Sequence, residues 1–151
     1  MTEFEKSSAR LEAAIEAGES PEARLLSFTI ELVRVLSQPG PLFKLLARHW
    51  LDSDPKVVRL LAQATVPEQY GRVQEAIRHS CSNRNPTAAA MAIYALVHGL
   101  ITLRPFEESL PWQTGVSRAA PTMAKFVLSS LLPEIDWDAV GPEPLAAKDS
   151  T

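Results

Sequence analysis

The histidines and the single cysteine are the side chains best suited to catalysis in this sequence, and their spacing favours no catalytic site. His79 and Cys81 are two residues apart, so on a helix they point to different sides. His98 has no carboxylate three or four residues away, and the pair of His49 and Asp52 suits a surface contact as well as a dyad. The sequence contains no nucleophile elbow, glycine-rich phosphate loop or paired metal-ligand motif. We therefore expect no enzyme, no bound metal and no cofactor.

Polar groups of another kind follow one side of an uncharged segment, AAAMAIYALVHGLITL, which runs from Ala88 to Leu103. Four of its residues are three or four positions apart and share one face of a helix: Met91, Tyr94, His98 and Thr102. Such a face is either a satisfied polar network in the core or one wall of a ligand pocket. Ligand pockets typically combine an apolar lining with a few polar groups. Both interpretations remain open at this point.

A neighbouring face of the same helix is built from small residues, on which another helix can approach closely. They are Ala88, Ala92, Ala95 and Gly99. As a helix the segment spans roughly 24 Å, short of the roughly 30 Å of a bilayer core, so we expect no membrane span. A helix that is apolar on all sides is normally buried on all sides. We expect the small face either to pack within the chain or to contact a second copy.

The composition of the 151-residue chain is that of a globular protein, with 46% hydrophobic and 22% charged residues. A net charge of −3 and scattered Lys and Arg residues argue against direct contact with nucleic acid, which usually needs a basic patch. The lone Cys81 excludes an intrachain disulfide, and the start MTEFEKSSAR has no apolar signal core. These features predict a cytoplasmic protein.

Prolines preceded by capping residues mark where helices begin, at Ser20-Pro21, Asp54-Pro55 and Asn85-Pro86. No stretch alternates as a strand does, so we predict an all-α bundle of about six to seven helices. We expect one helical domain at residues 1–135, a mainly irregular loop at 105–118 and a loosely ordered tail at 136–151. The predicted helices cover residues 7–18, 20–38, 42–51, 55–65, 67–83, 86–104 and 119–132.

The predicted last helix is nearly free of charge, since Lys125 is the only charged residue between Arg118 and Glu134. Two helices this poor in charge exceed what one small core needs. Pairing both with their copies across a two-fold axis gives a four-helix interface, so we predict a homodimer. The predicted interface residues are Ala88, Ala92, Ala95, Gly99, Ala120, Met123, Ala124, Val127 and Leu131.

The order of these segments resembles the C-terminal regulatory domain of the tetracycline-repressor-like (TetR) transcriptional regulators. The resemblance covers residues 7–133 and lies in the stretches EAGESPEARLLSFTIELVRVL, QPGPLFKLLARHWLDSDPKVVRLLAQ, AIRHSCSNRNPTAAAMAIYALVHGLITL and AAPTMAKFVLSSLL. Family members begin with a helix-turn-helix DNA-binding domain, which this sequence lacks. We expect either a piece of a longer regulator or a relative without DNA binding. The resemblance implies ligand sensing and dimerisation, with no DNA contact by these residues.

The resemblance also implies where a ligand binds, because the family's pocket lies inside the helical bundle of each subunit. The corresponding candidates here are Phe28, Phe43, Leu46, Trp50, Tyr70, Met91, Tyr94 and His98. Each aromatic residue taken alone suits a packed core. As a group with the polar Tyr94 and His98, they suggest a small apolar ligand with one polar group. The alternative is a stand-alone interaction module, whose apolar faces bind a partner regulator without a ligand.

Overall fold

The computed structural model describes residues 3–37, 67–102 and 116–141, together with Lys56. Within these residues the chain is helix, turn or connecting segment, with no strand, so the all-α prediction is confirmed for this part of the chain. The predicted helix at 42–51, most of the one at 55–65 and most of the predicted loop lie outside the described residues, while Lys56 of the second helix is helical. The helices whose bounds the structure describes are α1 (Glu3–Ala17), α2 (Pro21–Ser37), α3 (Pro67–Ser80), α4 (Pro86–Thr102) and α5 (Val116–Leu131).

Side-chain caps set the starts of α2 and α4. The Ser20 hydroxyl oxygen accepts a hydrogen bond from the backbone N–H of Ala23 at 3.1 Å. The amide oxygen of Asn85 does the same for the N–H of Ala88, also at 3.1 Å. Each cap satisfies a first-turn donor that has no partner inside its helix. Both predicted starts are therefore confirmed, with a proline at the first helical position in each case.

Gly18 makes the tight turn between α1 and α2. A Cβ atom at this position would lie 2.7 Å from the carbonyl carbon of Ala23 and would also meet the backbone nitrogen of Arg24. Both obstacles are backbone atoms, which cannot swing aside as a side chain can. A residue without a Cβ is needed for the two helices to meet this closely.

The central helix of the bundle is α2, which contacts each of the other four helices. Phe28, Leu25 and Val33 have no exposed surface, and the core formed around them continues into every neighbouring helix. Some of its buried hydroxyl groups form hydrogen bonds within the helix. The Thr29 hydroxyl, for example, donates to the backbone carbonyl of Leu25 at 2.7 Å. The sequence indicated an amphipathic helix here, whereas the structure buries α2 on almost all sides.

Polar contacts hold α1 against the bundle. The buried carboxylate of Glu31 on α2 lies 2.5 Å from the guanidinium of Arg10 and 3.7 Å from that of Arg34. The Gln69 side-chain amide on α3 donates to the hydroxyl of Ser8 at 2.7 Å. Because Glu31 is buried, its charge depends on these guanidinium partners for compensation.

The packed part of the chain extends beyond the boundary at residue 135 that we predicted. Trp137 is only 2% exposed, and its indole N–H donates to the carbonyl of Leu132 at 3.0 Å. Beside it, the guanidinium of Arg84 donates two hydrogen bonds of 3.0 Å to the carboxylate of Glu134. This hydrogen bonding lowers the pKa of Glu134 to about 2. Segment 132–141 is thus bound to the turn between α3 and α4, while residues 142–151 lie outside the described residues.

Candidate functional site

Three of the predicted pocket residues meet in an aromatic cluster between α2, α3 and α4. The rings of Phe28 and Tyr94 meet edge to face, with 5.8 Å between their centroids. Tyr70 lies on the other side, 6.1 Å from Tyr94. The Tyr70 hydroxyl already donates to the carbonyl of Thr87 at 3.0 Å. The cluster therefore places the apolar ring of Phe28 on α2 against the phenol ring of Tyr94 on α4.

Burial disfavours the charged forms of both polar groups of this α4 face. It raises the pKa of the Tyr94 phenol well above its usual value, with a smaller contribution from Tyr70. It lowers the pKa of His98, which follows Tyr94 by one helical turn, below 6.5. A neutral phenol and a neutral imidazole can exchange hydrogen bonds with a polar group of an apolar ligand.

Met91, another of the predicted pocket residues, does not join this cluster. Met91 was expected on the same face, but its side chain is 61% exposed. The face therefore opens to solvent toward the start of α4 and is half-buried at Tyr94 and His98. The predictions for Phe43, Leu46 and Trp50 lie outside the described residues.

The small face of α4 is on the outside of the protomer. Ala88, Ala95 and Gly99 are exposed, and Ala92 is half-buried. No atom of the described structure stands within 4 Å of where a Cβ of Gly99 would be. Tight packing inside the chain, one of the two interpretations of this face, is therefore not what the described residues show.

The part of the predicted dimer interface on α5 needs correction. Ala120, Ala124 and Val127 have no exposed surface and pack into the core of their own chain, so they have no surface to offer a second copy. Met123 and Leu131 are half-buried at the edge of that core. The reason is that α5 lies against α2 and α4 through this side. The exposed side of α5 instead carries Phe126, which is 59% exposed.

Sequence reasoning missed a charged cleft between α1, α2 and α3. Glu16 in the last turn of α1 and Arg24 in the first turn of α2 line a cleft of about 360 Å³. Arg72, Glu75 and His79, which follow one another along α3, line its other side. The spacing of the three α3 residues, three and four positions apart, indicates a shared helical face. Nothing in the sequence alone places the ends of α1 and α2 beside that face.

Cys81 is an inert thiol in this structure. It is buried at the end of α3, and burial together with a hydrogen bond to Glu134 raises the pKa of the thiol to about 11. The thiolate is the reactive form of cysteine, and it is scarce at neutral pH under these conditions.

No family model, curated protein or solved structure matches this chain. Among the described residues there is no group of three or more His, Cys, Asp or Glu side chains placed to hold a metal ion. None of the described helices is both long and apolar enough to cross a bilayer.

Proposed function

We propose that this chain is the ligand-sensing and dimerisation domain of a TetR-like transcriptional regulator, and that it makes no direct contact with DNA. The aromatic cluster is the observation that carries the proposal. In it the neutral phenol of Tyr94 packs against the apolar ring of Phe28, which belongs to the central helix α2. An apolar surface with one or two convergent polar groups is the usual composition of a small-molecule site. The all-helical structure is compatible with the resemblance seen in the sequence.

The ligand that suits the Tyr94 and His98 face of α4 is small and apolar, with one polar group that forms a hydrogen bond with Tyr94 or His98. Since Tyr94 packs edge to face against Phe28 of α2, a ligand bound at Tyr94 would act through that ring on the helix that contacts the other described helices. Binding would favour whichever arrangement of the bundle fits the ligand better, by no more than its difference in affinity for the two arrangements. Helix α1, attached to α2 through Arg10 and Glu31, would carry the change toward the N-terminus.

The dimer proposed here forms through the outer faces of α4 and α5. Ala88, Ala95 and Gly99 let a second α4 approach closely, because the distance between packed helices depends on the side chains at the contact. Met91 and Phe126 supply the large apolar groups that an interface needs at its centre. A two-fold axis through these faces would give a four-helix interface.

Removing the Tyr94 hydroxyl tests whether this face of α4 binds the ligand. A thermal-shift screen of small apolar alcohols, phenols and carboxylic acids should find compounds that raise the melting temperature, because a ligand stabilises the state that it binds. For such a compound, Tyr94→Phe should weaken binding about fivefold, the value of one hydrogen bond. Tyr70→Phe is the matched control: its hydroxyl is already bound to Thr87, so it should lower stability by about 1 kcal/mol and leave binding unchanged. Equal binding by wild type and Tyr94→Phe would exclude this wall as the site.

A second candidate function rests on the exposure of Met91 and Phe126. Met91 lies on α4 and Phe126 on α5, and if these two side chains belong to one contiguous apolar patch, that patch would mark a contact with another protein. In that case the chain is an interaction module that binds a partner regulator and needs no ligand. The two candidates differ in solution: the sensor is a homodimer on its own, whereas the module is a monomer until its partner is added.

A further inference from the structure

The cleft between the end of α1, the start of α2 and α3 has the dimensions of a small-molecule site. Its volume of about 360 Å³ lies within the range of roughly 300–1,000 Å³ typical of ligand pockets. Ile15 and Ala76 line it and are 3% and 5% exposed, so they form an apolar floor. The charged side chains of the same cleft stand around that floor. It is separate from the aromatic cluster, and none of the cluster's three aromatic residues lines it.

The charges of the cleft divide into one neutralised pair and two groups without a counter-ion. The guanidinium of Arg72 is ion-paired with the carboxylate of Glu16. The Nε–H of Arg24 donates to the carbonyl of Gly18 at 2.9 Å, which fixes the guanidinium beside the cleft. Within the described part of the chain, neither Arg24 nor Glu75 forms an ion pair. The cleft therefore presents one cation and one anion and is close to neutral overall.

We propose that this cleft binds a small zwitterion with an apolar side chain, of which an apolar α-amino acid is the simplest example. The ligand carboxylate binds the guanidinium of Arg24, whose planar donors match a carboxylate. The ligand ammonium binds the carboxylate of Glu75, and the apolar side chain rests on Ile15 and Ala76. A ligand with two like charges is disfavoured, since one of them would face a like charge. Because Arg24 is already tethered, little side-chain freedom is lost on binding.

Three ligands that differ only in charge test the proposal on the unaltered chain. L-leucine, isocaproate and isoamylamine share a branched apolar group, and the last two each lack one of leucine's charged groups. In amide NMR titrations, leucine should bind with a dissociation constant of about 1 mM and shift signals of α1, α2 and α3 around the cleft. Each analogue should bind about tenfold more weakly, the value of one charge-assisted hydrogen bond. No shift with about 10 mM leucine, or equal binding by all three compounds, overturns the proposal.

A matched pair of variants on α3 tests the role of Glu75. Glu75→Gln should weaken leucine binding about tenfold and leave isocaproate binding unchanged, since isocaproate has no ammonium group. Arg78→Gln changes an exposed residue of the same helix that does not line the cleft, and it should alter neither. Leucine binding that is unaffected by Glu75→Gln, or weakened as much by Arg78→Gln, contradicts the proposal. The outcome is independent of the sensor function proposed above, which is tested at Tyr94.

Discussion

Replacing Gly99 with leucine should weaken the dimer without harming the protomer. The described structure has no atom within 4 Å of a Cβ at Gly99, so the new side chain extends outward from the α4 surface. In the protomer the exchange should be stabilising by about 0.8 kcal/mol, because glycine is a poor helix former. In a close helix–helix contact the same side chain overfills the space, at a cost of about 1–3 kcal/mol. The dimer should therefore dissociate roughly 5- to 140-fold more readily.

Gly71 offers a matched control for this experiment. It is exposed in the interior of α3, and a Cβ there also meets nothing within 4 Å of the described structure. Gly71→Leu should gain the same helix stability and leave the dimer unchanged. Sedimentation equilibrium measures the dissociation constants, and urea unfolding measures the stability. If Gly99→Leu and Gly71→Leu dissociate equally, or if Gly99→Leu tightens the dimer, the proposed close contact through α4 is refuted.

Three further predictions concern stability, measured by urea unfolding. Trp137→Ala should lower the free energy of unfolding by about 3–5 kcal/mol, as for a large buried side chain; a loss below about 0.5 kcal/mol would place segment 136–141 outside the folded unit. Glu31→Gln should lower the free energy of unfolding by about 1–2 kcal/mol, because it breaks a half-buried ion pair with Arg10. Glu16→Gln breaks an exposed ion pair and should lower it by under about 0.5 kcal/mol. Equal losses for the two variants would contradict the assigned burial of Glu31. The pKa of His98 is lower in the folded state than in the unfolded state, so the unfolded state takes up a proton at higher pH. The free energy of unfolding should therefore fall as the pH drops below 6.5. A His98→Asn variant with the same pH dependence would exclude His98 as the cause.

Helix positions were largely predictable from the sequence because their causes are local. The caps at Ser20 and Asn85 act within three residues, and both form as expected. The turn at Gly18 likewise ends α1 where the sequence indicated. The start of α5 was placed three residues late, because the loop predicted from Pro105, Pro111 and Gly115 was extended to residue 118, whereas the helix begins at Val116.

Which face of each helix is buried was less predictable, because burial depends on the neighbouring helices. The apolar stripe of Leu25, Phe28, Leu32 and Val35, three and four residues apart, made α2 look amphipathic, yet α2 is the central helix. The polar groups of Thr29 and Ser37 donate to backbone carbonyls one turn earlier, which lowers the cost of burying them. Local sequence does not show whether a hydroxyl is used in this way.

The candidate sites show the same limit. The α4 residues Tyr94 and His98 could be identified from one helical face, but Phe28 and Tyr70 come from other helices, and only the fold brings those two rings to Tyr94. On α4 the small-residue face lies on the surface, as contact with a second copy would require, whereas on α5 it does not. There the small residues Ala120 and Ala124 serve the chain's own core. Small residues allow close packing with any neighbour, and their spacing does not say which.

Native mass spectrometry of the purified chain, under conditions that keep small molecules bound, tests the proposed sensor function and the dimer together. We expect a species of twice the chain mass that carries additional mass from a small apolar ligand. The excess mass would give the size of that ligand, and Tyr94→Phe should reduce its occupancy. A monomer without added mass at every protein concentration would contradict both the four-helix interface and the sensor function.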